Sequence, residues 1–332
     1  MTRPVIEGHD VAFFDLDGVI YLGPAAVEGA PEGVATLRER GVRTIFVTNN
    51  AARPAQTVVD QLTRLGFPST LDDVITSAQA AAGYLRRELE PGAKILVAGT
   101  QNLVDEITGA GFTAVTGAKD DPVAVIQGYD PEMTWPRLDE AGYAVQGGAR
   151  WFATNTDSTR PTDRGLVPGA GAAVDAVGAT VKVRPTIIGK PYAPLMEEAV
   201  RRTGATNPIF VGDRLDTDIA GAVGVGMESF LVFTGAHGKQ DLVEAVEAQR
   251  PTSIGLDVRS LLEPRREARV EGRRATCREV VVEADDRGVA SVQGDLGGPE
   301  EQLDAVWALA QLTWAGIVTD PAPVLEKLDR IR

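Results

Sequence analysis

The feature that most constrains the fold is a repeated alternation. Short apolar, β-branched runs are each followed by a helix-length stretch with a glycine near its end. Val11–Phe14, Val42–Val47, Lys94–Ala98, Val123–Gln127, Arg150–Thr154, Thr186–Ile188, Pro208–Val211 and Ser229–Phe233 read as strands. Gly33–Arg40, Pro54–Leu65, Ala78–Leu89, a stretch from Gln101, Pro136–Ala141, Ala172–Val177, Ala193–Thr203 and Asp216–Val223 read as helices. Strands separated by helices predict parallel sheets covered on both faces, an α/β doubly wound architecture. The segment from Thr162 to Gly171 is rich in Pro and Gly and reads as a loop. The first βα series is expected to resume at Thr186 after a second series. The last stretch differs: Glu263–Arg274 is charged and reads as a linker. Beyond it lie a hairpin around Asp286-Arg287-Gly288 and a helix, Pro299–Trp314, with Leu303, Val306, Trp307, Ala310 and Trp314 on one face.

The 332 residues suffice for two domains or slightly more. The formal net charge of −14 argues against a nucleic-acid or anionic-membrane surface. It leaves room for a small anion held by local cations and backbone N–H groups. The single cysteine, Cys277, excludes an intrachain disulfide and a multi-cysteine metal centre. Two histidines, His9 and His237, offer little to a His-based site. No basic stretch leads into an apolar one at the N-terminus, and no apolar run is long enough to span a bilayer; a soluble cytoplasmic protein is expected.

Four polar clusters follow predicted strands, where ligands sit in open α/β sheets. Phe14-Asp15-Leu16-Asp17-Gly18 brings two carboxylates to a strand end, with a glycine that lets backbone N–H groups turn toward an anion. One acid can act as nucleophile while the other moves protons. Phe46-Val47-Thr48-Asn49-Asn50 supplies a hydroxyl and amides suited to phosphate oxygens, and Ile188-Gly189-Lys190-Pro191 supplies an ammonium. Val211-Gly212-Asp213, followed by Asp216 and Asp218, supplies oxygen ligands of the kind Mg²⁺ takes. Each cluster alone also fits a plainer role: an acidic turn, an Asx turn, a solvated lysine, or helix capping, which is expected of Asp216 in any case.

Taken in order, carboxylate pair, hydroxyl, lysine and carboxylate resemble the haloacid dehalogenase (HAD) superfamily. Only 33 positions separate Asp15 from Thr48, but 142 separate Thr48 from Lys190, room for a large α/β insert between the second and third motifs. This resembles the C2a-capped subfamily IIA, the p-nitrophenyl-phosphate and nucleotide phosphatases. The phrases Asp15-Leu16-Asp17-Gly18-Val19, Thr48-Asn49-Asn50, Ala153-Thr154-Asn155-Thr156-Asp157 and Gly212-Asp213 through Asp218-Ile219 carry the likeness over about residues 10–255. Ala51 departs from the Ser common in relatives.

The resemblance implies a Rossmann-like core over 1–78 and 185–258, a C2 cap over 79–184 and a small α+β C-terminal domain over 263–332. It implies a Mg²⁺-dependent phosphatase in which Asp15 is the nucleophile and Asp17 the general acid and base. Mg²⁺ would be held by Asp15, the Asp17 carbonyl and Asp213, with Asp218 supporting its waters. Thr48, Asn49 and Lys190 would bind the phosphoryl group; Asn155, Asp157 and Arg160 in the cap would read the leaving group. Asp17 favours hydrolysis, since the ion-pumping ATPases of the superfamily, which keep their aspartyl-phosphate, have Thr there. The C-terminal extension resembles the acetyltransferase-like appendage of actinobacterial glycerol 3-phosphate phosphatases, so glycerol 3-phosphate is the expected substrate. A 5′-nucleotide, 2-phosphoglycolate, pyridoxal phosphate or a non-catalytic binding role are the alternatives. The extension lacks a Gly-rich pyrophosphate loop, so acetyl-CoA binding is not expected. Trp307 and Trp314 are expected to pack on the core or on a second subunit, which leaves a homodimer open.

Overall fold

The computed structural model describes residues 3–162 and 164–332. The chain divides into two compact units. One is built from the chain up to Phe46, from Leu62–Pro68 and from Ala205–Arg332; the other from Val47–Gln61 and Ser69–Gly204.

The first unit is organised by a parallel sheet with strands ordered Ser253–Gly255, Glu228–Val232, Pro208–Gly212, Val11–Phe14, Arg43–Thr48. Val11–Phe14 is central: Phe14 pairs with Val211 on one side and Phe46 on the other. The chain leaves this strand toward one edge and later fills the other, so a crevice opens at the carboxyl ends of Val11–Phe14 and Pro208–Gly212. Phe13, Phe14, Phe46, Phe210 and Phe230 are fully buried, which is why these strands read as unbroken apolar runs rather than alternating ones. The helix Ala30–Glu39 buries Ala30, Gly33, Val34 and Leu37, a spacing that keeps one face inward, and packs on the turn Val258–Leu262.

The C-terminal extension belongs to this unit. Its antiparallel sheet runs Ala268–Glu271, Arg274–Cys277, Val280–Ala284, Ala290–Gln293, and the helix Pro299–Trp314 lies on it. Leu303, Val306 and Trp307 share one buried cluster with Leu231, Leu242 and Ile254 of the first unit's α/β part. The expected linker at Glu263–Arg274 is therefore corrected. Its charges at Arg269, Glu271 and Arg274 lie on exposed strand positions, whereas Arg266 is buried against Asp304 at 3.0 Å and also pairs with Glu300.

The second unit has its own parallel sheet, ordered Thr186–Ile187, Arg150–Ala153, Ala124–Gln127, Lys94–Ala98, Thr113–Val115. The strand expected to resume the first series at Thr186 instead pairs with Phe152 and Ala153 at the edge of this sheet. The following helix, Ala193–Thr203, packs on Ser77–Glu88. The buried Glu198 carboxylate lies between the Arg87 and Arg201 guanidinium groups, at 3.1 and 2.6 Å. The Pro/Gly-rich stretch is also corrected: Thr159–Thr162 and Gly165–Pro168 form an antiparallel hairpin. Its exposed ladder buries little, so no apolar alternation announces it. Among the described residues no helix is long and apolar enough to cross a membrane.

Candidate active site

Asp15 follows the central strand directly, and its N–H continues the sheet by donating to Val211 O at 2.9 Å. The next strand ends at Gly212, so Asp213 emerges beside Asp15. The chain then makes one wide helical turn, Leu215–Ile219, with the Ile219 N–H donating back to Arg214 O at 3.1 Å. Such widened turns recur at functional sites because they re-aim side chains. Here the turn brings Asp218 inward, where its carboxylate accepts the Arg214 N–H at 3.1 Å. The expected capping by Asp216 is corrected: its carboxylate instead takes the Arg214 guanidinium, at 2.8 Å.

Carboxylate oxygens of Asp15, Asp213 and Asp218 come within 4.8 Å of one another, with Asp213 and Asp218 buried. Like charges at that separation repel by roughly 3 kcal/mol per pair at an effective dielectric near 20, so a cation among them is strongly favoured. The cluster is packed to a fixed shape. A Cβ on Gly18 or Gly235 would overlap the Asp213 carboxylate, and one on Gly212 would overlap Asp218. Gly18 also sits at φ +89°, where a side chain is strained. All-oxygen donors, two of them buried, in a cradle closed by glycines fit a hard divalent cation such as Mg²⁺.

Asp17 is exposed in the turn after Asp15. That turn is held by Ile20 and Tyr21 N–H groups donating to Leu16 O at 2.9 and 3.1 Å, and by the Gly18 N–H donating to Tyr21 O at 2.8 Å.

In the second unit Asn49, Asn155 and Lys190 form one hydrogen-bonded group, and Thr48 precedes Asn49 at the end of its strand. The Asn49 amide oxygen accepts the Lys190 N–H at 2.7 Å, and its NH₂ donates to Lys190 O at 3.1 Å. The Asn49 carbonyl accepts Ser77 Oγ at 2.5 Å and Asn155 Nδ2 at 2.9 Å. Thr48 Oγ1 accepts the Asn50 N–H at 3.1 Å. Lys190 is buried, with Nζ 3.5 Å from Val47 O. Gly189 is obligatory here, since a Cβ would stand 2.5 Å from Thr154 O and 2.6 Å from Asn49 Oδ1. Asn155 therefore ties its loop to Asn49, and its side-chain oxygen also accepts the Asp157 N–H at 3.1 Å. The Asp157 carbonyl accepts the Gly171 N–H at 2.9 Å. Arg160 is exposed, stacked 5.1 Å above Tyr129 and donating to its hydroxyl at 3.2 Å.

Sequence reasoning missed the loop Thr234–Gly238. Ala236 N–H donates to Asp213 Oδ2 at 2.5 Å, and Thr234 Oγ1 to Gly18 O at 2.5 Å. His237 Nδ1 accepts the Leu215 N–H at 2.8 Å. The signal was available: Thr234-Gly235 follows a strand by the same rule that located the other motifs.

Two family models match: haloacid dehalogenase-like hydrolase over residues 12–113, and a HAD-hydrolase-like model over residues 187–261. The D-glycerol 3-phosphate phosphatase of Mycobacterium tuberculosis is 43% identical over 259 residues, 78% of this chain and 72% of that protein. The chain belongs to the haloacid dehalogenase-like hydrolases. It is a phosphomonoester hydrolase of that superfamily, with the α/β core and inserted α/β cap of its structural neighbours. The glycerol phosphate phosphatase of M. tuberculosis in complex with calcium superimposes with TM-score 0.85 at 35% identity, covering 99% of both chains. The same enzyme in complex with magnesium gives 0.83 at 38%, covering 95% of this chain and 93% of that one. A p-nitrophenyl phosphatase from Archaeoglobus fulgidus gives 0.72 at 28% identity, covering 77% of this chain and 98% of its own.

Proposed function

We propose that this chain is a Mg²⁺-dependent phosphatase that hydrolyses glycerol 3-phosphate through an aspartyl-phosphate on Asp15. The observation that carries the chemistry is the Asp15, Asp213, Asp218 cluster at the sheet's carboxyl edge, with a second acid two residues beyond the first. Bound Mg²⁺ would supply a positive charge that lowers the repulsion between a carboxylate and a phosphate dianion. Asp15, the Asp17 carbonyl and Asp213 would hold it, with Asp218 ordering its waters. An Asp15 oxygen forms a bond to phosphorus as the ester bond breaks, and Asp17 gives its proton to the departing alkoxide. Water then attacks phosphorus, the bond to Asp15 breaks, and Asp17 takes the proton from water. Thr48 and Lys190 bind the phosphoryl group, while Asn49 acts by holding the Lys190 main chain. Asn155, Asp157 and Arg160 belong to the proposed cap, 79–184, which reads the alcohol of the substrate.

Glycerol 3-phosphate is favoured because the likeness to the M. tuberculosis enzyme extends through the C-terminal extension, beyond the part shared with the p-nitrophenyl phosphatase. A relative at 35% identity, the 5′-nucleotidase YutF of Bacillus subtilis, makes nucleotides the competing class. Phosphate release from a substrate panel with Mg²⁺ tests this. Glycerol 3-phosphate should give the highest kcat/KM, and Asp15→Asn should abolish turnover while leaving the circular dichroism spectrum unchanged. Nucleotides outpacing glycerol 3-phosphate would overturn the substrate assignment; turnover retained by Asp15→Asn would overturn the chemistry. We place the enzyme in the cytoplasm, where a lone buried Cys277 stays reduced. Trp307 and Trp314 pack edge to face within the chain at 5.6 Å, and Trp314 Nε1 donates to Leu242 O at 3.1 Å. A homodimer would therefore use another face.

A further inference from the structure

The last residues of the chain reach the loop that walls in Asp213. The Arg332 guanidinium donates to the Gly235 carbonyl, and the Arg332 main-chain carbonyl accepts the Lys239 N–H at 2.6 Å. Lys239 Nζ donates in turn to the carbonyls of Leu328 and Ile331, the latter at 3.2 Å. Gly238 is so close that a Cβ would stand 2.8 Å from the Arg332 carbonyl. Both ends of the stretch 235–239 are thus gripped by the C-terminal segment. Between them, Ala236 N–H donates to Asp213 Oδ2 at 2.5 Å, and His237 N–H to the Asp213 main-chain carbonyl at 3.1 Å.

The segment is itself anchored. The buried Gln302 side chain donates to Asp329 at 2.8 Å and accepts the Arg330 N–H at 2.7 Å. Leu328 and Ile331 are buried in the same cluster as the helix that carries Gln302. A continuous path of hydrogen bonds and packed side chains therefore runs from the helix Pro299–Trp314, through Arg332, to a carboxylate of the acidic cluster. A metal ligand held in place before the ion arrives binds more tightly than one that must be ordered on binding, and residues outside the ligand shell tune affinity this way.

We propose that Arg332 is a positioning residue for the metal site, so that the C-terminal extension sets the affinity for the divalent cation by clamping the loop that fixes Asp213. The proposal rests on the reading of Asp15 and Asp213 as metal ligands given above.

The test titrates Mg²⁺ into metal-stripped, full-length protein by isothermal titration calorimetry, with the Mg²⁺ dependence of phosphate release measured in parallel. Arg332→Ala should bind Mg²⁺ roughly threefold to tenfold more weakly, below the 10–100-fold typical of groups that touch the ligands themselves. Arg332→Lys should recover part of the loss. Lys239→Met, which loosens the clamp from the other side, should move affinity in the same direction. Arg330→Ala, an exposed neighbour whose main-chain bond to Gln302 is kept, should match the wild type. KM for the phosphoester at saturating Mg²⁺ should stay within about twofold, a split that general loosening of the fold would not give. Wild-type Mg²⁺ affinity in folded Arg332→Ala and in Lys239→Met would overturn the clamp alone. A wild type that binds no Mg²⁺ would overturn both the clamp and the proposed function.

Discussion

At the scale of single residues, the acidic cluster depends on glycines as much as on carboxylates. Asp15, Asp213 and Asp218 were legible because each follows or lies near a strand end, where backbone geometry makes side chains converge. The glycines that let them converge were less legible, because a missing side chain leaves no pattern of its own. Gly235 is the informative case: a Cβ there would overlap the Asp213 carboxylate. Gly235→Ala should push Asp213 off its position and weaken Mg²⁺ binding by about tenfold or more. Overpacking should lower stability by roughly 1–3 kcal/mol. A Mg²⁺ titration beside a urea melt checks both, and an unchanged affinity would show that Asp213 is not held by this contact. The hydrogen bonds of Asn49 and Asn155 were hidden for another reason. An amide near a strand end reads as a phosphate ligand or a main-chain clamp alike, and the sequence does not name its main-chain partners, which are Lys190 for Asn49 and the Asn49 carbonyl for Asn155.

At the scale of elements, the strands Val11–Phe14 and Lys94–Ala98 and the helix Pro299–Trp314 were legible to the residue or nearly so, since buried parallel strands and a long apolar helix stand out, although that helix is buried all round from Gln302 to Ala310 and not along one face as its spacing suggested. The hairpin Thr159–Pro168 and the strands of Ala268–Cys277 were not, because short exposed ladders leave charge and Pro/Gly on view. The short strand at Thr186 gave no hint of which sheet it would join. The helix Ala193–Thr203 is held to Ser77–Glu88 by the buried Glu198. Burial pushes that carboxyl's pKa up, but hydrogen bonds from Arg201 and Arg87 and their charges outweigh it and hold it below its ordinary 4.5. A carboxyl with a lowered folded pKa contributes stability that is fully present above its unfolded value and is lost as pH falls through its folded one. Glu198→Gln should therefore cost about 1–3 kcal/mol at neutral pH. Its deficit against the wild type should begin to shrink below about pH 4.5, reported by urea denaturation across pH. A deficit constant from neutral pH to pH 3 would contradict this account.

At the scale of the whole molecule, the order of the motifs along the chain was enough to identify the superfamily, because a sheet of this kind brings strand ends together whatever the insertions between them. The compact units were less legible: Asp15, Asp17, Asp213 and Asp218 lie in one, and Thr48, Asn49 and Lys190 in the other. The C-terminal extension looked like a separate domain behind a linker, yet its core is continuous with that of the first unit, which is what allows it to reach the loop that contacts Asp213. The central claim is that Asp15 is transiently phosphorylated. The most direct measurement uses Asp17→Asn with p-nitrophenyl phosphate and Mg²⁺, quenched in acid and digested for peptide mass spectrometry. p-Nitrophenolate leaves without a proton donor, so the first step proceeds while hydrolysis of the intermediate stalls. The account predicts one phosphoryl group on the peptide that contains Asp15, absent when Mg²⁺ is removed and absent in the Asp15→Asn, Asp17→Asn double variant. A phosphoryl group on any other residue, or Mg²⁺-dependent turnover by the wild type with no trapped phosphoryl group in Asp17→Asn, would contradict it.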